Sequence, residues 1–289
     1  MTDQPQRRHG IEAFISRMPS LPTTVAKVIE VCNQPRTSPN DLNRVISLDP
    51  VLTGKVLKLI NSAFFSISEP VTSVTRAIIM LGLNTVKNLA LSTSIVGIFS
   101  EDSKEGCFSM HDFWVHSLAA GVTARILAAN NNIPADGREE YFVGGLLHDI
   151  GKIPMMHCFP EDYRHILLVS QQRRQPLYIA EKDALGFDHC HVGQIIAEKW
   201  RLSDNLSSAL ASHHQGKTHD LVGFSDFIAT ANVCARSFSL GSAGDDSIED
   251  QMPLVLKKTG HGSHNLYRFQ SDVAIELEKA KIFLAVSEA

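Results

Sequence analysis

Gly144-Gly145-Leu146-Leu147-His148-Asp149-Ile150-Gly151-Lys152 is the stretch that decides the fold. It closes a helix expected over Tyr141 to His148, and its three glycines let neighbouring helices approach closely. His148 and Asp149 offer an imidazole and a carboxylate from one turn, so the carboxylate can bridge two metals while the imidazole binds one. Outward from it, helical signals dominate. Ser38-Pro39-Asn40-Asp41 supplies an N-cap, a proline at the first helical position and an acid in the first turn, ahead of Leu42, Val45 and Ile46. Asp49-Pro50 restarts the chain, with Leu52, Val56, Leu59 and Ile60 at helical spacing. Thr72-Ser73 precedes Val74, Ala77, Ile78 and Leu81; Gly82 stops that run and Asn84 caps the next helix, through Leu91 and Ile95. Downstream, helices are expected over Phe113 to Ala129, Val192 to Trp200 and Leu206 to His213, with a stop at Asn131-Asn132-Ile133-Pro134. Hairpin signals are missing, so the class is all-α.

Composition excludes the exotic classes. The 289 residues carry a net charge of -4, with 44% hydrophobic and 20% charged residues, as in ordinary globular proteins. The first ten residues lack the apolar core of a signal peptide, and the apolar run Leu89 to Phe99 is too short to span a bilayer. Five widely spaced cysteines without a CxxC pair fit a reduced, cytoplasmic chain in which they act as small hydrophobes. Residues 1–100 carry +4 and the remainder -8, too diffuse for a nucleic-acid footprint. No membrane or direct nucleic-acid partner is expected.

Histidine is the uneven residue. Of 13, only His9 precedes His111. The composition changes near 100–109, separating a histidine-free bundle from a histidine-bearing one. A second polar stretch, Gly241 to Gln251, reads as a surface loop, and Asp272 to Phe283 as a charged amphipathic helix docked on the bundle.

The candidate site is assembled from four segments. His116 precedes His148 by 32 residues, a separation suited to an antiparallel neighbour; His189 follows in Gly186-Phe187-Asp188-His189, and His213-His214 end a further helix. Adjacent histidines point about 100° apart on a helix, so this pair can serve one centre only at a helix end, or two metals. Ligands His116, His148, Asp149, His189, His213 and His214 suit iron, manganese, zinc or nickel better than calcium or magnesium. Lys152 is a solvated charge on its own; beside a metal pair it becomes a candidate phosphate contact. His111, His157, His165, His219, His261 and His264 read as ordinary histidines, and His191, two positions from His189, faces away.

His116, His148-Asp149, His189 and His213-His214 resemble the HD superfamily of metal-dependent phosphohydrolases. The first half resembles a narrower group, the HDOD domain. The matching residues are Leu21-Pro22 with Thr24-Val25, Ile46 to Pro50 with Leu52, Leu59 to Phe64, and Ala77-Ile78 with Leu81-Gly82. The Gly186 to Trp200 segment fits the same family. The resemblance covers residues 14–240, with an N-terminal helical subdomain at 14–105, an HD-like one at 106–240, and a polar loop and helix at 241–289. It implies a helical, cytoplasmic, bacterial signal-transduction protein with one or two divalent metals, iron or manganese first, zinc or nickel next. Such a protein acts through a regulatory partner or a small phosphorylated ligand.

Two departures bear on catalysis. The closing aspartate of the HD pattern falls on Asn232, a neutral and poorer ligand, and Gln215-Gly216-Lys217-Thr218 replaces the Glu and Gly-Tyr-Pro loop of cyclic-di-GMP phosphodiesterases. That activity is therefore not expected. Two other readings stay open beside the regulatory one: a phosphohydrolase with Asp149 bridging metals and Lys152 holding phosphate, and a scaffold with an empty site. Asp49-Pro50 and Asn61-Ser62 are read as helix punctuation shaping the N-terminal bundle.

Overall fold

Side-chain caps set six of the helix starts among the described residues. The computed structural model describes residues 4–34, 36–100, 107–214, 223–245 and 266–287, which contain helices and no strand. After α1 (Gln4–Arg17) and α2 (Thr23–Cys32), Ser38 and Asp41 form a reciprocal capping box that opens α3 (Pro39–Ile46). Asp49 Oδ1 accepts from Leu52 N at 2.9 Å at the start of α4 (Pro50–Ile60). Asn61 binds the Val71 backbone on both sides, through Oδ1 at 2.7 Å and Nδ2 at 2.8 Å, which ties the loop after α4 to its helix end. Ser73 caps α5 (Val74–Leu81), and Gly82 ends it at φ +89°, a conformation that favours glycine.

The next helix differs from expectation. α6 (Leu83–Ser100) starts one residue before Asn84, because the Gly82 carbonyl already accepts from Val86 N at 3.4 Å and leaves no separate capping position. α7 (Met110–Asn130) is buried on almost every side and packs against α8 (Ala135–Leu147), which begins just after Pro134, well before Tyr141. Then follow α9 (Lys152–Cys158), α10 (Pro160–Arg173), α11 (Leu177–Leu185), α12 (His189–Trp200), α13 (Asp204–Ser212) and α14 (Phe224–Ser237). The C-terminal region is two helices where the pattern predicts one, α15 (Leu266–Ala280) and α16 (Ile282–Ser287), separated at Lys281.

The two ends of the chain cross over. α1 packs on α9, α11 and α12, and Lys199 Nζ donates to the carbonyls of Ile15, Ser16 and Met18 at 2.6, 3.0 and 2.6 Å. That ammonium occupies the electronegative end of α1. α16 packs in the opposite sense, on α4 and α6. Its Phe283 meets Phe64 and Phe142 with ring centroids 5.2 and 4.8 Å apart, and Phe64 meets Phe142 at 5.2 Å. Arg125 stacks over Phe64 at 4.3 Å and binds Glu139 at 2.8 Å. The histidine-bearing and histidine-free parts of the chain thus share one core. The switch in composition at 101–106, the Gln215 to Thr218 segment and residues 246–251 lie outside the described residues.

The start of the second polar stretch also departs from expectation. Ala243 and Asp245 are buried, not on a surface loop. Asp245 pairs with Arg236 at 3.1 Å, and the Ala243 carbonyl accepts from Lys152 Nζ at 3.2 Å, so backbone polarity there is used internally. No single helix among the described residues is long and apolar enough to cross a membrane.

Phe283→Ala should remove the contact that joins three segments. We expect a loss of about 3–5 kcal/mol, read as a lower midpoint in urea with the slope unchanged.

Candidate metal centre

Asp149 sits in the turn between α8 and α9, 1% exposed, and its two oxygens face different neighbours. Oδ2 lies 2.8 Å from Lys152 Nζ, 3.3 Å from His148 Nε2 and 3.6 Å from His116 Nε2. Oδ1 lies 3.3 Å from His189 Nε2 and 3.5 Å from His213 Nε2. His189 Nε2 is in turn 3.0 Å from His214 Nε2 and 3.3 Å from His213 Nε2. Five histidines and one aspartate, expected together from sequence, are brought together. Together with Cys190 they fall into two donor groups, His116–His148–Asp149 and His189–Cys190–His213–His214.

Local structure delivers each side chain. His148 is the C-cap of α8 and His213 that of α13, so helix ends point them inward. Asp188 Oδ1 caps α12 by accepting from His191 N at 2.9 Å, which fixes His189 as the first helical residue. Two glycines permit the approach. A Cβ on Gly145 would lie 2.6 Å from the Ala120 backbone, and one on Gly151 would collide with the His189 carbonyl.

The imidazole tautomers are set from outside. His148 Nδ1 faces the Gly145 carbonyl at 2.6 Å, and His213 Nδ1 faces the Ala209 carbonyl at 3.1 Å. His189 Nδ1 faces Glu181 Oε2 at 2.6 Å. Each of these partners only accepts, so each Nδ1 carries the hydrogen and, in a neutral ring, each Nε2 turns a lone pair inward. Asp149 Oδ1 and His148 Nε2 are buried without a hydrogen-bond partner. Converging lone pairs and an unpaired carboxylate oxygen fit a cation, and the outer partners that orient the rings are those a metal site needs.

Charge in the pocket is divided. Burial, then His148, pushes His116 down to about 3. Burial would raise Asp149, but His148 and Lys152 hold it well below the usual carboxylate range. Burial opposes charge on His189 too, yet Glu181 holds it well above its ordinary value. His213 rises to about 9 against burial, through Cys190 and Asp149. Burial, then His213 and His189, drives His214 well below.

Several residues stand differently from the sequence reading. Lys152 is 1% exposed, with its ammonium on Asp149 and the Ala243 carbonyl, so it orients the carboxylate. Asn232 is buried on α14, and its Oδ1 has no hydrogen-bond partner. Cys190, read as a small hydrophobe, places Sγ 3.8 Å from both His213 ring nitrogens. Burial raises its thiol, but His213 and His189 outweigh that and bring it to about 7. Glu181 has no sequence signal at all: one of two acids in α11, it accepts from His189 N at 2.9 Å and from Tyr163 Oη at 2.7 Å.

Gly151→Ala should displace α12 and with it His189. We expect a cost of about 1–3 kcal/mol in thermal unfolding, while Gly137→Ala, whose Cβ would meet only the Ile133 methyl at 3.4 Å, stays near the parent.

The model of the HDOD domain matches residues 18–216. A curated Treponema pallidum (strain Nichols) protein of uncharacterised function is 24% identical over 200 residues, and the match spans 69% of this chain but only 38% of that protein's length. Among solved structures, an HDOD domain protein of unknown function from Geobacter sulfurreducens has a TM-score of 0.74 at 21% identity, covering 97% of this chain and 99% of that one. A candidate phosphohydrolase from Shewanella amazonensis SB2B gives 0.71 at 20%, covering 95% and 98%. A candidate signal transduction protein from Marinobacter aquaeolei VT8 gives 0.72 at 18%, covering 99% and 66%. At these identities the likeness is one of fold. The family model takes in well over half of the sequence, and the chain belongs to the HDOD domain family.

Proposed function

We propose that this protein is a regulatory HDOD module that holds one or two divalent transition-metal ions in its HD-type pocket. In this reading it acts through a small phosphorylated ligand or a regulatory partner. One observation carries it: His189 and His213, whose Nδ1 atoms are tied off by acceptors, turn Nε2 toward Asp149 Oδ1, which has no hydrogen-bond partner, and His148, tied off in the same way, turns Nε2 toward Oδ2. His116, His148 and Asp149 would hold one ion and His189, His213 and His214 the other, with Asp149 between them. Bound metal supplies a Lewis acid and a water of lowered pKa. The chain's own residues do the positioning. Lys152 holds Asp149 in place, and Glu181, itself fixed by Tyr163, holds His189.

A cavity of about 280 Å³ supports a small anionic ligand. It is lined by Arg8, Lys182, Asp188, Cys190, His191 and His214; Lys182 is paired with Asp188 at 2.9 Å, so a phosphate entering it meets the Arg8 guanidinium and the imidazole of one metal group. The same cavity is the observation that favours the second reading, a metal-dependent phosphohydrolase, because it gives a phosphoester a route to His214.

Metal analysis of the purified chain, as isolated and after reconstitution with iron, manganese, zinc or nickel, tests the proposal. We expect one or two equivalents in the parent and fewer in Asp149→Ala. Glu181→Gln should weaken binding by about 10–100-fold. Failure to retain any of these metals would overturn the reading. A screen of phosphomonoesters and cyclic nucleotides with manganese or iron separates the two functions. Turnover lost in Asp149→Ala establishes the hydrolase, and a silent screen alongside retained metal leaves the regulatory reading standing.

A further inference from the structure

We propose that Cys190 is a fourth protein donor at the His189–His213–His214 position, so that the metal there is held by three imidazoles and a thiolate. This rests on the metal reading above and goes beyond it, because the HD-type ligand set read from the sequence contains no sulfur.

Geometry carries the inference. A tetrahedral centre with metal–nitrogen bonds of about 2.0–2.1 Å and a metal–sulfur bond of about 2.3 Å has nitrogen–nitrogen edges near ~3.3 Å and nitrogen–sulfur edges near ~3.6 Å. The pocket shows 3.3 Å for His189 Nε2 to His213 Nε2 and 3.0 Å for His189 Nε2 to His214 Nε2. Cys190 Sγ to His213 Nε2 is 3.8 Å. All four donor atoms lie within 4.8 Å of one another. Three of the six edges thus match those of a tetrahedral shell closely, and the other three are no longer than 4.8 Å. Cys190 reaches it because Asp188 caps α12, which sets His189 and Cys190 side by side in the first turn, opposite the end of α13.

The two positions differ in kind. The His116–His148–Asp149 group has three donors, and its Oδ2 is shared with the Lys152 ammonium. The Cys190 group has four donors, with Asp149 Oδ1 alongside at 3.3 and 3.5 Å from two of its histidines. A thiolate makes this position softer, favouring zinc or ferrous iron over manganese or magnesium. Binding forms a metal–sulfur bond and breaks the S–H bond, the proton leaving to solvent. Cys190 and His214 both line the 280 Å³ cavity, so the metal at this position would be the one an entering ligand meets.

Cobalt(II) reports sulfur directly. The full chain, stripped and loaded with one equivalent of cobalt, should show visible ligand-field bands of a four-coordinate ion and a near-ultraviolet sulfur-to-cobalt charge-transfer band. Cys190→Ser should lose the charge-transfer band while keeping bound cobalt and its visible bands. Cys234→Ser, at a buried thiol outside the cluster, should keep both. Stoichiometric cobalt without the charge-transfer band in the parent, or a band that survives Cys190→Ser, would overturn the thiolate while leaving the metal reading intact. No bound cobalt in the parent, with no other transition metal retained, would overturn both.

Discussion

A carboxylate buried at the meeting point of several helices needs compensating charge and donors, and Asp149 organises this protein around that need. The cost of an uncompensated buried ion, about 3–5 kcal/mol when one partner is removed, is met on one side by Lys152 at 2.8 Å. On the other sides four imidazoles stand 3.3–3.6 Å away. Each of those groups is on a different element, so satisfying Asp149 fixes α7, the α8–α9 turn, α12 and the end of α13 relative to one another. The outer partners extend the constraint, through Glu181 to α11 and Tyr163 to α10. Through the Ala243 carbonyl on Lys152 it reaches the segment after α14.

Close packing is the second condition, and it explains the glycines. Backbone must meet backbone at Gly145 against Ala120, and at Gly151 against His189, for side chains on opposite elements to come within 3–4 Å of one carboxylate. The histidine-free half takes part through α8. Phe142 on that helix is wedged between Phe64 and Phe283, and His148 is the same helix's C-cap. Packing in a region with no metal donors of its own therefore sets the register of one that has them.

Much of this was legible in the residues. Ser38, Asp49 and Ser73 announce helix starts through local hydrogen bonds that need no tertiary information, and all three cap as their sequence neighbours predict. The six His and Asp residues were recognisable as a set because their types and order are specific. Glu181 and Cys190 were not. An acid in the middle of a helix and a cysteine next to a histidine have common explanations, and only the crossing of α11, α12 and α13 turns them toward one point. The buried turn from Gly241 was hidden for a related reason: its composition is polar, and what buries it is Lys152 and Arg236 on elements far away in sequence.

The neutral Asn232 acquires a different weight in this setting. On the sequence alone it argues against catalysis, since a closing carboxylate is missing. The structure divides the pocket into two groups that share Asp149, and the donors of the second group are His189, Cys190, His213 and His214. Loss of a carboxylate in the HD pattern therefore does not empty the pocket of ligands. In the proposed metal-bound form, a neutral residue in place of that carboxylate would favour the group richer in nitrogen and sulfur. Lys152 acts in the same direction. A fixed ammonium on Oδ2 already neutralises the side of Asp149 that faces His116 and His148, while Oδ1 faces His189 and His213 at 3.3 and 3.5 Å.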